Sequence, residues 1–308
     1  MVYDGAVGGA VQTVFVTGAT GFVGRAVIHA LRADGLRVRC LVRRGSERDL
    51  RGLEAIERVE GDVLARQTLD EGIGGCEAVV HLVGIIREYR GRGITFERLH
   101  VEGTLNVLAA AAAANVRRYL HMSALGTSAT AQSLYHQTKW LAEEAVRASA
   151  LPWTIFRPSV IYGKGDGFVS MLARMVEKLP VVPVIGEGRQ KVQPVPVEQV
   201  AEGFRRALAR PETVKQTYEV GGPDAVSIVE LIDAIGRALG QARVRKIPLP
   251  MGLMRVVASV LQGIPSFPLT TDQIRMLEID NTCDSEPFFR AFGLTPIALQ
   301  AGLDRMLG

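Results

Sequence analysis

The sequence predicts an α/β protein in which a doubly wound parallel sheet is followed by a smaller mixed α/β unit. Two observations predict this class. Short apolar, β-branched runs alternate with segments of helical period through the first half of the chain. These runs are continuously apolar, which is typical of parallel strands covered by helices on both faces. A chain of 308 residues is long enough for about two such units, each with its own core.

Six strands are predicted in the first half of the chain, each followed by a helix or a loop. They cover 13–16, 37–42, 58–60, 78–83, 119–122 and 154–157. One long helix is predicted over 95–115, because its alanine-rich run LNVLAAAAAANV permits close packing on a sheet.

The pattern becomes less regular after Pro158. Ser227 and Glu230 have the S-x-x-E spacing of a capping box, and Gly240 is expected to end the helix that follows. The apolar segment 251–264 is predicted to be helical, either as a core helix or as a docking surface for a membrane or a partner. A single charge, Arg255, favours the core helix.

The composition excludes several function classes. Basic residues number 36 and acidic residues 32, but only six of the 36 are lysines and the arginines are interleaved with acids, which argues against a nucleic-acid partner. The three cysteines and five histidines show no metal-ligand spacing, so no metal site is predicted. No signal peptide or membrane span is predicted, and we expect a cytoplasmic protein or one peripheral to the inner face of the membrane.

A glycine-rich segment, TGATGFVG over 17–24, follows the first predicted strand and opens a helix. Gly18 would allow a tight turn, Gly21 a close approach of backbone to a pyrophosphate, and Gly24 close packing of helix on strand. Thr20, Phe22 and Val23 lie in the same turn, at a helix N-terminus that favours an anion. The segment predicts a Rossmann-type dinucleotide site.

Further cofactor contacts are predicted where later strands end. Arg43 and Arg44 stand where an acid would accept a ribose 2′-hydroxyl, which favours NADP(H) over NAD(H), although a solvated loop would also explain them. Asp62 could meet the adenine amino group, with Val63 against the ring, or could cap the next helix. Leu82, Val83 and Gly84 would bring backbone close to the cofactor, and a simple turn explains Gly84 equally well.

Tyr135 and Lys139 are four residues apart in YHQTK, so they share one face of a helix. A free phenol, with a pKa near 10, is a poor acid or base at neutral pH. We expect the neighbouring ammonium and a nicotinamide cation to lower that pKa, and the same lysine to hold the nicotinamide ribose.

These motifs, in the order TGATGFVG, HLVG, YHQTK and FRPSVIYG, resemble the extended, epimerase-like branch of the short-chain dehydrogenase/reductase superfamily. HLVGIIRE, HMSALG and QPVPVEQVAE are similar to an atypical subgroup that includes the nucleotide-binding accessory subunit of respiratory complex I.

The resemblance implies Tyr135 as proton donor, Lys139 as its electrostatic partner and Ser123 as a candidate third member. It also implies Pro158 and Val160, in FRPSVIYG, at the cofactor. One departure stands out: Ala124 occupies the place of the family's serine or threonine hydroxyl, which Thr127 or Ser128 could replace.

The predicted organisation is a flexible tail (1–12), a Rossmann domain (13–162, with 191–222 returning to it) and a smaller substrate domain (163–190 and 223–308). The predicted function is an NADP(H)-dependent oxidoreductase acting on a small carbonyl or hydroxyl compound. The alternative is a non-catalytic dinucleotide-binding structural or assembly subunit. The substrate pocket is expected from 168–178, 184–188 and the last eighty or so residues, and relatives commonly form homodimers through the helices at Thr95 and Tyr135.

Overall fold

A computed structural model describes residues 11–46, 50–53, 55–262 and 269–308. The strands are β1 (Thr13–Thr17), β2 (Arg37–Val42), β3 (Glu57–Glu60), β4 (Ala78–His81), β5 (Arg118–Met122), β6 (Trp153–Pro158), β7 (Ile161–Tyr162), β8 (Val182–Ile185), β9 (Lys191–Val192), β10 (Val195–Pro196), β11 (Gln216–Val220), β12 (Val226–Ser227) and β13 (Lys246–Leu249). The α-helices are α1 (Phe22–Ala33), α2 (Arg66–Ile73), α3 (Gly103–Ala113), α4 (Leu134–Ala148), α5 (Val169–Lys178), α6 (Val197–Ala207), α7 (Ile228–Ala238), α8 (Met251–Leu261), α9 (Thr271–Met276), α10 (Glu286–Phe292) and α11 (Leu299–Leu307).

A seven-stranded parallel sheet forms the centre of the molecule, in the order β11-β6-β5-β4-β1-β2-β3. Its central strands are buried on both faces: Val14 and Val16 of β1 belong to one apolar cluster, whereas Phe15 between them belongs to the other. The predicted doubly wound α/β fold is therefore confirmed.

All six predicted strands are present, and one of them is shorter than predicted. β4 ends at His81, so Leu82 and Val83 leave the sheet. The Leu82 N–H still donates to the Thr17 carbonyl at 3.3 Å, while the chain turns away beside Gly18.

The predicted helix over 95–115 is divided into two parts. A π-helical turn spans Glu97–Glu102, and the α-helix α3 begins at Gly103. His100 lies buried within the π-helical turn. Such turns are uncommon and frequently mark functional positions.

A third apolar cluster lies beyond the sheet and is built from α5, α7, α11 and β8, which pairs with β13. The predicted capping box of α7 is confirmed, because Ser227 Oγ accepts from Glu230 N and the Glu230 carboxylate accepts from Ser227 N. Gly240, with φ of +73°, follows the end of that helix as predicted.

The domain boundaries stay a prediction. Two elements from the second half of the chain, β11 and α10, nevertheless lie on the central sheet. β11 pairs with β6 in the central sheet. α10 also packs on that sheet, since Phe288 and Phe292 contact the ring of Phe156. The first ten residues and residues 263–268, which include the end of the predicted helical segment 251–264, lie outside the described residues.

α8 is helical as predicted, but the expectation of a core helix is wrong. Ala258 is its one buried residue, and Leu253, Val256 and Val260 are 54%, 62% and 73% exposed. Spaced three and four residues apart, these three share one face of the helix. Among the described residues, no helix combines the length and apolar character needed to cross a bilayer.

Candidate functional site

The turn between β1 and α1 is shaped by glycine backbone. Gly18 has φ of +73°, and a Cβ there would lie 3.0 Å from the Leu82 carbonyl carbon. A Cβ on Gly24 would lie 2.2 Å from the Gly18 carbonyl oxygen. Gly24 therefore packs the first turn of α1 directly on the backbone of the preceding loop, and neither position has room for a side chain.

The same turn fits the phosphates of a dinucleotide. Gly21 is exposed, its N–H donates to the Gly18 carbonyl at 3.0 Å, and no side chain in the described part of the chain caps the N-terminus of α1. Thr20, Phe22 and Val23 lie half-buried around it. Uncapped amides and the positive end of the helix dipole suit an anion. A nicotinamide dinucleotide held there would supply hydride transfer.

Arg43 and Arg44 directly follow β2 and are both exposed. Arg44 forms an ion pair with Glu60 at 2.8 Å, and its side chain is 87% exposed. At that exposure the ion pair adds little to stability and leaves the guanidinium accessible. Both arginines lie at the carboxyl edge of the sheet, where ligands bind in open α/β folds.

Asp62 and Val63 follow β3 on the same edge. The Asp62 carboxylate accepts from Leu64 N at 2.9 Å, in the turn that precedes α2. The alternative that Asp62 caps this helix is wrong, because the N-cap of α2 is Ala65 and no described side chain caps it, while the adenine contact stays a prediction. Val63 is buried, and a Cβ on Gly103 would lie 3.0 Å from its side chain, so Val63 is packed against α3.

At the junction after β6, the Pro158 carbonyl accepts from Leu125 N at 2.9 Å, and the Val160 carbonyl accepts from Val195 N at 2.9 Å.

Lys139 is buried and its position is fixed. Its ammonium donates to the Met122 carbonyl at 2.6 Å, where β5 ends, and a Cβ on Gly84 would lie 3.7 Å from Nζ. The structure thus brings together Gly84 after β4, the end of β5 and the α4 lysine. Burial lowers the pKa of Lys139 to about 8, opposed by the negative charge of Glu143.

Tyr135 lies one turn before Lys139, with its ring packed against Phe96, His100 and His136 at centroid distances of 5.9, 5.4 and 5.1 Å. Burial raises the pKa of Tyr135 to about 12. The predicted lowering of this pKa by Lys139 is therefore not found in the chain alone, because desolvation of the phenolate dominates.

Ser123 is buried immediately after β5, and its Oγ donates to Thr127 Oγ1 at 3.5 Å. Ala124 is buried beside it. Of the two hydroxyls suggested as substitutes for the one missing at Ala124, Thr127 is the one in contact with Ser123.

Buried histidines lie near Lys139, although their spacing along the chain does not predict such a cluster. His100 Nε2 accepts from Ile85 N at 3.1 Å, and its Nδ1 lies 2.9 Å from Thr138 Oγ1. His81 lies between the hydroxyls of Thr17 and Thr104, at 2.7 and 3.1 Å. Burial, then the charge of Lys139, lowers the pKa of His81 to about 3 and that of His100 to about 2, so both rings are neutral.

Glu143 lies one turn beyond Lys139 and is completely buried. Its carboxylate accepts a bidentate pair of hydrogen bonds from Arg157, at 2.8 and 2.7 Å, and a further bond from Arg147. A buried carboxylate needs such pairing. The arrangement holds α4 against β6 and places a negative charge near Lys139.

A cavity of about 620 Å³ opens beside Tyr135. Its lining residues come from the loop after β4, the start of α4 and the region of α9: Arg87, Glu88, Tyr89, Arg90, Gly91, Arg92, Phe96, Leu134, Gln262, Thr270, Thr271, Asp272 and Arg275. The predicted pocket included the last eighty residues but missed the loop 87–92. Among the described residues, 168–178 line neither this cavity nor a smaller one of about 260 Å³ that includes Val184 and Glu187.

The fold and this edge of the sheet define a class, the Rossmann-fold proteins with a dinucleotide-type glycine turn and a Tyr-x-x-x-Lys helix. Residues 14–221 match the NAD dependent epimerase/dehydratase family. The chain belongs to this family, as the sequence resemblance predicted. Membership supports binding of a nicotinamide dinucleotide.

Named relatives support the same placement. The chain is 31% identical over 291 residues to NADH dehydrogenase [ubiquinone] 1 alpha subcomplex subunit 9 of Arabidopsis thaliana, covering 91% of this chain and 71% of the relative. It is 36% identical over 189 residues to ceramide reductase of Caulobacter vibrioides, covering 61% and 58%. An epimerase structure from Methanothermobacter thermautotrophicus shares the fold, with TM-score 0.77, 18% identity and coverage of 96% and 91%.

Proposed function

We propose that this chain binds NADP(H) and acts as an oxidoreductase on a small carbonyl or hydroxyl compound. The observation that carries the proposal is the fixed position of Lys139, hydrogen-bonded to the Met122 carbonyl beside Gly84 and one turn from Tyr135. A buried ammonium that forms no ion pair with any described residue is costly, so its retention at the edge where ligands bind supports a chemical role.

In this proposal Tyr135 holds the proton that is delivered to a substrate oxygen during reduction. Lys139 stabilises the phenolate that remains, while neutral His81 and His100 add no competing charge. Ser123 with Thr127 would orient the substrate oxygen. The preference for NADP(H) rests on Arg43 and Arg44, which offer guanidinium groups to a 2′-phosphate where an acid would repel it.

Replacement of Tyr135 by Phe tests the proposal. We expect Tyr135→Phe to bind NADPH normally, measured by calorimetry, and to lose oxidation of NADPH with a panel of aldehydes and ketones. The matched control is Tyr119→Phe, because the Tyr119 hydroxyl is fully buried without a hydrogen-bond partner among the described residues. Full turnover by Tyr135→Phe would remove Tyr135 from the mechanism.

A second candidate function is a non-catalytic dinucleotide-binding subunit. The observation that favours it is the 31% identity over most of the chain to a subunit of respiratory NADH dehydrogenase, together with Ala124 at the usual hydroxyl position. Bound NADPH would then stabilise the fold without conversion of a substrate. Assembly of the respiratory complex in cells carrying Tyr135→Phe separates the two candidate functions. A purely structural subunit should still support assembly with this change, because it does not need the Tyr135 hydroxyl.

Two further parts of the proposal concern surfaces. Docking to a respiratory complex at the inner face of the membrane would use the exposed face of α8. Replacement of Leu253, Val256 and Val260 by serine should therefore release the chain from membranes without unfolding it.

A homodimer would use α3 and α4, whose Leu105 and Leu141 are 50% and 48% exposed. Sedimentation of the wild type and of Leu105→Glu tests the dimer.

A further inference from the structure

The cavity beside Tyr135 has an excess of positive charge. Arg87, Arg90, Arg92 and Arg275 line it, against the two carboxylates of Glu88 and Asp272. Single arginines on a surface are ordinary, but four of them around one concave volume of about 620 Å³ create a positive potential inside it.

Both carboxylates in the cavity wall are already committed to other donors. Glu88 accepts from Phe96 N and from Arg90 Nε, each at 2.9 Å. Asp272 accepts from Leu134 N at 2.8 Å and from Tyr135 N at 3.1 Å. They serve the loop and the start of α4, and neutralise only part of the arginine charge.

Two of the arginines remain available to a ligand. Arg87 donates to the Gln262 carbonyl at 2.6 Å, and Arg90 is paired with Glu88. For Arg92 and Arg275, by contrast, the described part of the chain contributes no ion pair and no side-chain hydrogen bond, and both are exposed. Each offers a fork of N–H donors suited to phosphate oxygens.

The cavity is also connected to the reacting end of the proposed site. Phe96 lines it and contacts the Tyr135 ring edge-on, at a centroid distance of 5.9 Å. Leu134, the neighbour of Tyr135, lines it as well. A compound whose oxygen is at Tyr135 would extend its remaining part toward the arginines.

We infer that this cavity binds a phosphate monoester group carried by the substrate, with Arg92 and Arg275 as its specificity-determining residues. Such a group carries close to two negative charges at neutral pH, which matches the unbalanced positive charge of the wall. The inference rests on the proposed function, since it names the substrate class of the same site.

The inference is tested by titrating inorganic phosphate into the NADPH-saturated chain, so that the glycine turn is already filled. We expect binding in the wild type, and a dissociation constant raised about tenfold for each of Arg92→Ala and Arg275→Ala. The control is the double variant Arg243→Ala with Arg245→Ala, which removes two exposed positive charges outside the cavity. Equal weakening in the control, or unchanged binding in the cavity variants, would overturn the inference.

Two further measurements identify the molecule that carries the phosphate group and separate failure of this inference from failure of the proposed function. Glycerol 3-phosphate, and phosphatidylcholine vesicles with and without phosphatidic acid, distinguish a soluble ester from a lipid headgroup, and binding of either through Arg92 and Arg275 supports the inference. NADPH binding and turnover of an uncharged aldehyde should persist in the control variant Arg243→Ala with Arg245→Ala, as in the wild type. If NADPH binding and aldehyde turnover persist while Arg92→Ala and Arg275→Ala bind phosphate as the wild type does, the inferred substrate class is wrong and the proposed oxidoreductase stands. If NADPH itself does not bind, the proposed function fails, and the phosphate titration is then repeated on the chain alone.

Discussion

Asp272 holds the start of the helix that carries Tyr135. Its Oδ2 accepts the Tyr135 backbone N–H at 3.1 Å and its Oδ1 accepts that of Leu134 at 2.8 Å, from 137 and 138 residues away in sequence. A carboxylate at a helix N-terminus satisfies unpaired amides and complements the dipole. α9 therefore sets the position of the proposed proton donor as well as forming a wall of the cavity.

Replacement of Asp272 by alanine should loosen this attachment. We expect Asp272→Ala to lose about 1 kcal/mol of unfolding free energy, the usual value of a cap, and to lower kcat more than it changes NADPH affinity. Urea unfolding and steady-state kinetics measure the two effects. Asp304→Ala, which removes an exposed carboxylate from α11, serves as the control. An unaltered kcat would show that Tyr135 keeps its position without this cap.

The lowered pKa of Lys139 predicts two effects of pH. Turnover should fall as the pH rises above about 8, because the ammonium loses its proton there. Stability should respond in the opposite direction: the unfolded chain binds more protons than the folded one between about pH 8 and the ordinary pKa of lysine, so this group makes unfolding free energy rise across that window. Lys139→Met should lack this rise when both proteins are unfolded in urea at successive pH values. Identical slopes would contradict the assignment.

Arg43 and Arg44 should control the choice of coenzyme. We expect Arg43→Ala with Arg44→Ala to weaken NADPH binding at least about tenfold and to leave NADH binding nearly unchanged, because only NADPH carries the 2′-phosphate. Calorimetry with both nucleotides measures this. Arg37→Ala is a matched control, since Arg37 is exposed at the opposite end of the same strand. An equal loss for both nucleotides would show that the two arginines attract either coenzyme by charge and do not recognise the 2′-phosphate.

Gly24 should tolerate no side chain. A Cβ 2.2 Å from the Gly18 carbonyl would force the first turn of α1 away from the loop, and we expect Gly24→Ala to cost about 3 kcal/mol and to abolish nucleotide binding. Gly252→Ala in α8 is the control, because a Cβ there has no described neighbour within 4 Å and alanine favours the helix by up to about 1 kcal/mol. Thermal unfolding with and without NADPH distinguishes them. A stable, NADPH-binding Gly24→Ala protein would contradict the close packing.

The sequence predicts features that depend on local chemistry. The glycine turn, the Ser227 capping box and the six strands follow from residues within a few positions of one another. Features built from distant segments could not be predicted in this way. The bond from Asp272 to Tyr135 and the contact of His100 with Thr138 join separate parts of the chain, and no local pattern marks them.

The exposure of α8 could not be predicted from its sequence. Its apolar residues predict a helix, but apolar character alone does not decide whether that helix faces a core or the surface. Val257 and Leu261 are half-buried, whereas Leu253, Val256 and Val260 are exposed. The cavity likewise required the fold, because its arginines come from the loop after β4 and from α9.

The backbone contact between Gly18 and Leu82 joins two loops that otherwise serve different ends of the site. One loop leads into the glycine turn, and the other continues through Gly84 to the arginines of the cavity. Since no side chain separates them, restriction of the first loop by a nucleotide restricts the second as well. Amide hydrogen exchange of residues 84–92 should therefore slow when coenzyme alone is added, and the chain would then present an ordered entrance to whichever compound arrives second.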